Sequence, residues 1–159
     1  MDIIKIPPMN KEEYDKLIKE NYVSRIAFSG TNYPYIAPFM YVFEEDKKFL
    51  YFFSTKYGKK INLFKKNPQV AVEIEKYSSD MSNYKFVTLQ GTIIEVKSKT
   101  EKEEIKKRFI NMIQNKLSNK TLAALGYSPN ESPESIFNDE RVLLWKLIDV
   151  ENIVALKNP

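Results

Sequence analysis

Residues Tyr33 to Phe43 and Phe49 to Ser54 constrain this chain more than any other stretch. The first reads YPYIAPFMYVF and the second FLYFFS, with the polar turn Glu44-Glu45-Asp46-Lys47-Lys48 between them. Successive side chains of a strand point to opposite faces. Tyr33, Tyr35, Ala37, Phe39, Tyr41 and Phe43 therefore share one face, and Pro34, Ile36, Pro38, Met40 and Val42 share the other. Both faces are apolar or aromatic. An antiparallel hairpin commonly turns one polar face to water, and this one has none to turn. One face should line a core. The other must meet a helix, a ligand or another subunit.

The rest of the chain supplies partners for such a hairpin. Asn10 can cap a helix that runs to about Asn21, with Glu13 three residues on as a capping box requires. Tyr14, Leu17 and Ile18 give it one apolar stripe. A strand follows over Val23 to Phe28, closed by turn residues at Ser29-Gly30-Thr31-Asn32. After the hairpin, the loop Thr55-Lys56-Tyr57-Gly58 leads into a short helix from about Lys59 to Lys66. Ile61, Leu63 and Phe64 form its buried side, and Asn67-Pro68 ends it. Gln69 to Glu75 alternates as a half-buried strand. Tyr84 to Val96 reads as a long strand in which Gly91 marks a bulge or a close backbone approach. A helix from Thr100 to about Leu117 carries Ile105, Phe109, Met112 and Ile113. A further turn, Lys120 to Leu125, ends at Gly126 as a C-cap. The Ser-, Pro-, Asn- and Glu-rich stretch 127–140 reads as a loop with one helical turn at Ser132-Pro133-Glu134-Ser135. Arg141 to Asp149 and Asn152 to Leu156 read as two last strands around a turn at Asp149-Val150-Glu151. The expected fold is mostly β with flanking helices, one domain over residues 1–159, in which six or seven antiparallel strands close a small barrel. Closure removes exposed edges.

Composition removes several functions. Histidine and cysteine are both absent. Transition-metal and structural zinc sites depend on those ligands, and histidine-dependent nucleophilic catalysis is excluded. Any chemistry must rest on carboxylates, lysines, tyrosines or a bound cofactor. The net charge is +4, but bases alternate with acids, as in Lys11-Glu12-Glu13 and Lys102-Glu103-Glu104. That diffuse pattern argues for a solvated surface, not a nucleic-acid footprint. Met1 to Met9 lacks the apolar run of a signal peptide, and no stretch approaches the ~20 apolar residues of a membrane helix. A cysteine-free chain suits a reducing compartment, so the expected setting is the cytoplasm.

One local conflict points to a ligand. The start of a helix carries partial positive charge and favours anions. Here Lys56, Lys59 and Lys60 surround such a start, with Gly58 just before it and the hydroxyls of Ser54 and Thr55 beside it. A phosphate among these groups would relieve the conflict. A solvated lysine cluster in a lysine-rich protein is the other reading of the same residues.

The run YPYIAPFMYVFEEDKKFLYFFSTKYGKKINLFKKNPQVAVEIE, Tyr33 to Glu75, resembles the pyridoxamine 5′-phosphate oxidase-like proteins, the FMN-binding split-barrel family. The shared order is a Pro-aromatic strand, a turn, an aromatic strand ending in Ser or Thr, a basic pair opening a helix, and Asn-Pro-x-Val. Tyr84 to Gly91 resembles the family's later strand. The resemblance implies a split-barrel homodimer with two FMN molecules at the subunit interface, which would account for the two-faced hairpin. It implies that Ser54, Thr55, Lys59 and Lys60 hold the FMN phosphate, and that Ala37, Pro38, Phe39 and Met40 lie along the flavin ring. Trp145 stands in the late strand that approaches the partner's flavin in this family, although a lone Trp also serves core packing. The implied function is a flavin-dependent oxidoreductase with a small-molecule substrate or a nicotinamide electron donor. A non-enzymatic flavin-binding or sensing protein and a deazaflavin-dependent reductase are the alternatives on the same fold.

Three departures narrow the expectation. Genuine pyridoxamine phosphate oxidases hold substrate with an arginine and a histidine near the C-terminus, and Trp145 to Pro159 contains no such pair. Many relatives of the nitroimidazole-resistance type carry histidine where this chain has Phe53. Relatives that degrade haem bind it through histidine, which this chain lacks.

Overall fold

Asn10 opens the first helix as expected. Its side chain accepts from the Glu13 backbone N–H, and the Glu13 carboxylate accepts from the Asn10 N–H, both at 2.9 Å. The computed structural model describes residues 6–124, 128, 130–137 and 140–158. In chain order the elements are α1 (Lys11–Glu20), β1 (Val23–Phe28), β2 (Tyr35–Glu44), β3 (Phe49–Thr55), α2 (Lys59–Lys66), β4 (Gln69–Tyr77) and β5 (Tyr84–Glu95). Then follow α3 (Lys99–Lys116), α4 (Asn119–Ala124), α5 (Pro133–Ile136) and β6 (Val142–Lys157). The proposed cap at Gly126 lies outside the described residues.

The six strands close an antiparallel barrel in the order β1-β2-β3-β6-β5-β4. Inward positions are the apolar ones on every strand: Ile26 and Phe28, Phe39 and Tyr41, Leu50 and Phe52, Val72 and Ile74, Val87 and Leu89. Trp145 fills the middle, with its ring centroid 5.8 Å from Phe39 and 6.1 Å from Phe28. Leu17 and Ile18 of α1 join this interior, and the buried Tyr41 hydroxyl donates to the Ile18 carbonyl at 2.6 Å.

The other face of the hairpin has its own cover. Val42, Tyr51 and the half-buried Phe53 pack under α3 and α5, against Ile105, Phe109, Ile113, Ile136 and Phe137. Phe53 meets Phe109 edge-on at 5.3 Å and Phe137 at 5.4 Å. Of the three possible covers for that face, a helix of the same chain takes the half nearest the turn. The half nearest Tyr33 stays open, with Tyr33, Ile36 and Pro38 exposed.

The chain end corrects one expectation. Residues 142–157 form one strand of 16 residues, not two strands around a turn. Asp149 does adopt a turn-like φ of +50°. The irregularity is absorbed as a bulge, because β5 shifts register between Gln90 and Thr92 as it passes. Gly91 permits this. A Cβ there would stand 2.8 Å from the Ile148 carbonyl oxygen.

Candidate functional site

The site begins where β3 leaves the barrel. Strand alternation turns Ser54 inward and Thr55 outward. Ser54 is buried, and its Oγ donates to the Thr55 carbonyl at 3.0 Å. Thr55 Oγ1 faces the loop and accepts from Lys60 Nζ at 2.8 Å. Lys60 also reaches the Tyr57 carbonyl at 3.4 Å. Two donors of the ammonium are thus spent on the loop, and the third is free for a ligand. Burial pulls the Lys60 pKa below its ordinary value.

Gly58 is the N-cap of α2, at φ +101°, and no side chain caps the helix. That φ is unfavourable for a residue with a Cβ. No acidic residue occupies the first turn. Lys59 stands over the Tyr35 ring, with Nζ 5.0 Å from its centroid. Among the described residues, none of the ammonium groups of Lys56, Lys59 and Lys60 pairs with a carboxylate. The backbone N–H groups at the helix start, an outward hydroxyl and these cations together form a positively charged setting suited to a phosphate.

What fixes α2 in place is the barrel core. Ile61 and Leu63 are buried, and Phe64 lies 5.0 Å from Trp145. Trp145 is fully enclosed, so its ring supports α2 from behind. Its Nε1 has no hydrogen-bond partner among the described residues.

The expected ring-contact strip divides by face. Phe39 points into the barrel and is buried, whereas Pro38 is exposed. Ala37 is half-buried toward the core, and Met40 is partly covered from the α3 side. Pro38 thus offers its side chain to the open face, and Ala37 and Phe39 can offer only backbone there. The histidine-for-phenylalanine departure at Phe53 also acquires a physical setting, since that side chain sits among Phe109 and Phe137.

Sequence reasoning gave Arg25 no role. The register places it opposite Pro38 on β2 and Glu73 on β4. Its Nη1 lies 2.5 Å from Glu75 Oε1 and 3.8 Å from Glu73 Oε2. Nothing short of strand pairing could have brought these residues together, because Arg25 and Glu75 stand 50 positions apart.

Comparison with known proteins fits this architecture. No curated protein matches the sequence. Among solved structures, an FAD-binding protein from Mesorhizobium loti is similar with TM-score 0.69 and 19% identity, over 98% of this chain and 100% of that one. An FAD-binding protein from Mycobacterium smegmatis gives TM-score 0.64 and 12% identity, over 97% and 98%. A NimC/NimA family protein from Clostridium acetobutylicum gives 0.54 and 16%, over 92% and 90%. At these identities the likeness is one of fold. The sequence model described as pyridoxamine 5′-phosphate oxidase matches residues 10–133, from the capped start of α1 to the start of α5. By that match over most of its length, the chain belongs to the pyridoxamine 5′-phosphate oxidase-like family.

Proposed function

We propose that this protein is an FMN-binding flavoprotein that works as an oxidoreductase in the cytoplasm, as a homodimer. The observation that carries the reading is the cluster of unpaired ammonium groups at the start of α2. The flavin-binding names of two similar structures support a flavin. Members of the family are typically dimeric.

In this reading Lys59, Lys60, Thr55 and the N–H groups opening α2 hold the phosphate. Ser54 braces the loop from inside. The backbone from Ala37 to Met40, with the Pro38 side chain, borders the ring. Trp145 positions α2 through Phe64. When bound, FMN supplies the electron-carrying ring, and the protein binds, orients and shields it. The partner is a small-molecule substrate or a nicotinamide electron donor. No helix among the described residues is long and apolar enough to cross a membrane.

An absorbance spectrum of the purified protein tests the reading, with flavin bands expected and FMN titrating to saturation. A colourless protein that ignores added FMN sinks it. Turnover with NADH, NADPH or a nitro compound then separates an oxidoreductase from a flavin carrier or sensor.

Pyridoxamine 5′-phosphate is not the expected substrate. It brings a second phosphate, and the tail offers only scattered cations: Lys146 is paired with Glu101, Arg141 with Glu131 and Lys157 with Glu13. A misplaced substrate forfeits orientation worth ~7–11 kcal/mol of barrier. Peroxide release with this substrate should be negligible, and a rate near one per second, within the ordinary enzyme range, would restore the oxidase reading.

A further inference from the structure

Away from the half of β2 that packs under α3 and α5, the outward face of the barrel continues over β1, the Tyr35 end of β2, β4, β5 and the last residues of β6. Antiparallel pairing puts Val23, Ala27, Ile36, Ala71, Phe86 and Val154 on it, with Ala27 opposite both Ile36 and Ala71, alongside the polar Thr88, Gln90 and Asn152. A face turned to water would show polar residues at these positions. Ile36 is 62% exposed, and Val23 and Val154 are 45% and 42% exposed. Tyr77, Tyr84 and Phe86 add a ladder of rings with centroids 6.3 and 5.7 Å apart.

Near the middle stands one charged group of three. Arg25 binds Glu75 at 2.5 Å, and Glu75 also accepts from the Tyr84 hydroxyl at 3.4 Å. Glu73 is left with a longer contact to the same Nη1, at 3.8 Å. One cation therefore faces two carboxylates. The face offers no spare cation to an acidic protein or a nucleic acid. What it matches is another face like itself, as in a two-fold contact where the same patch serves both copies. It also runs without a break into Pro38, so a second copy seated here would border the ligand strip on β2.

We propose that a second copy of this chain seats on this outward face, and that each copy takes up a proton on Glu73 as it does so. The inference rests on the homodimer reading above. Two copies of a group with net charge −1 meet across an apolar contact. Charge left unpaired in such a contact is costly, and a proton on Glu73 removes it. The charged groups facing Glu73 are Arg25 on β1, Glu75 on its own strand and Tyr84 on β5. In the single chain, burial followed by the Glu75 charge already pushes the Glu73 carboxyl upward against the pull of Arg25.

The test is sedimentation over a dilution series from about pH 8 to about pH 5.5, above the ordinary carboxylate range. The parent dimer should tighten at least tenfold as pH falls. Glu73→Gln should be at least tenfold tighter than the parent at about pH 8 and respond little to pH. A dimer of constant affinity, or one that weakens in acid, overturns the proton linkage and leaves the homodimer standing. Ala71→Asp with Val154→Asp should leave only monomer, and an unaffected dimer places the contact elsewhere. A parent that stays monomeric throughout overturns the homodimer reading and this inference with it. Bound-flavin absorbance, read on the same samples, reports the cofactor reading separately.

Discussion

Among the described residues lysines stand over aromatic rings of the hairpin at three places, and two of these, at Lys146 and Lys59, differ most in what else is present. Under α3, Lys146 stands 4.8 Å over Phe49 and donates to Glu101 Oε1 at 2.8 Å. Tyr51 donates to the same oxygen at 2.8 Å and lies 3.2 Å from the buried Glu44. Glu44 is met by Lys47 at 3.2 Å and Arg108 at 3.9 Å. At the far end of the hairpin, Lys59 stands 5.0 Å over Tyr35, and among the described residues no carboxylate pairs with it or with Lys60. The first cluster is complete and ties α3 to the barrel. The second has cations and donors with no anion. A lysine against a ring is not in itself a site, and the missing counter-charge marks the difference.

The largest effect expected from that contrast is on the incomplete cluster. Lys59→Ala with Lys60→Ala should lower FMN affinity by roughly a hundredfold or more, since each charge-assisted hydrogen bond contributes ~1.5–3 kcal/mol. The melting temperature should fall only slightly, because α2 is held by Ile61, Leu63 and Phe64 in the core and the contacts of Lys60 to Thr55 and Lys59 to the Tyr35 ring lie outside it. Fluorescence titration with FMN reads the first, and thermal unfolding reads the second. Parent-like titration of the double variant would put the phosphate elsewhere and break the comparison.

The complete cluster should answer in the opposite way. Glu101→Ala removes the acceptor shared by Tyr51 and Lys146 and leaves Lys146 without its carboxylate. A loss of ~1–2 kcal/mol in stability is expected from the hydrogen bonds, toward the low end because the pair is partly open to solvent. FMN affinity should not change. A variant as stable as the parent, or one that loses flavin, would show that the two clusters are not divided as structure and site.

Much of this was visible before any pairing was known. α1 was set by Asn10 and Glu13, α2 by the loop and Asn67-Pro68, and the bulge by Gly91, because caps, turns and proline act over a few residues. The lysine cluster around the start of α2 was local for the same reason. The single strand β6 was not legible. Asp149-Val150-Glu151 has turn chemistry, and only the match to β5 across Gly91 lets the strand continue. Ile136 and Phe137 lie in a segment that reads as loop, yet both are buried under the hairpin. Arg25 with Glu73 and Glu75 required the β1–β4 register, which composition does not encode locally.

A smaller effect follows from removing one hydroxyl. Tyr51→Phe keeps the ring against Phe49 and loses the contacts to Glu101 and Glu44. Burial, then the two carboxylates, pushes the Tyr51 phenol upward, so it is a neutral donor over the accessible range. A cost of ~0.5–1.5 kcal/mol is expected, read by denaturant midpoint at unchanged slope. No change in midpoint would mean that Lys146 alone holds Glu101.

The smallest expected effect is the pH response that separates the two clusters. Burial alone would push the Glu101 carboxyl up. The hydrogen bonds from Lys146 and Tyr51 outweigh it and hold the group below its ordinary value of 4.5. A carboxylate depressed by folding contributes stability that is fully present above that value and is lost as pH falls through the folded one. The parent should therefore lose stability in acid faster than Glu101→Gln, which has no proton to take up. Glu13 and Asp80 are also held low, by Lys157 and by Ser78 and Ser82, and both remain in the variant. Their share cancels in the difference between the two melting curves. Lys60 behaves in the opposite sense. Its folded value is lowered by burial, so its charged form costs stability at neutral pH and that cost disappears only as pH rises toward 10.5. Acid leaves it charged and unchanged. FMN affinity should then weaken below ~6 through the ligand's own phosphate, by the same amount in parent and Glu101→Gln. Parallel melting curves for the two proteins in acid would mean that the Glu101–Lys146 pair adds nothing to the fold. A difference between them in the acid dependence of FMN affinity would join the two clusters that the hairpin holds apart.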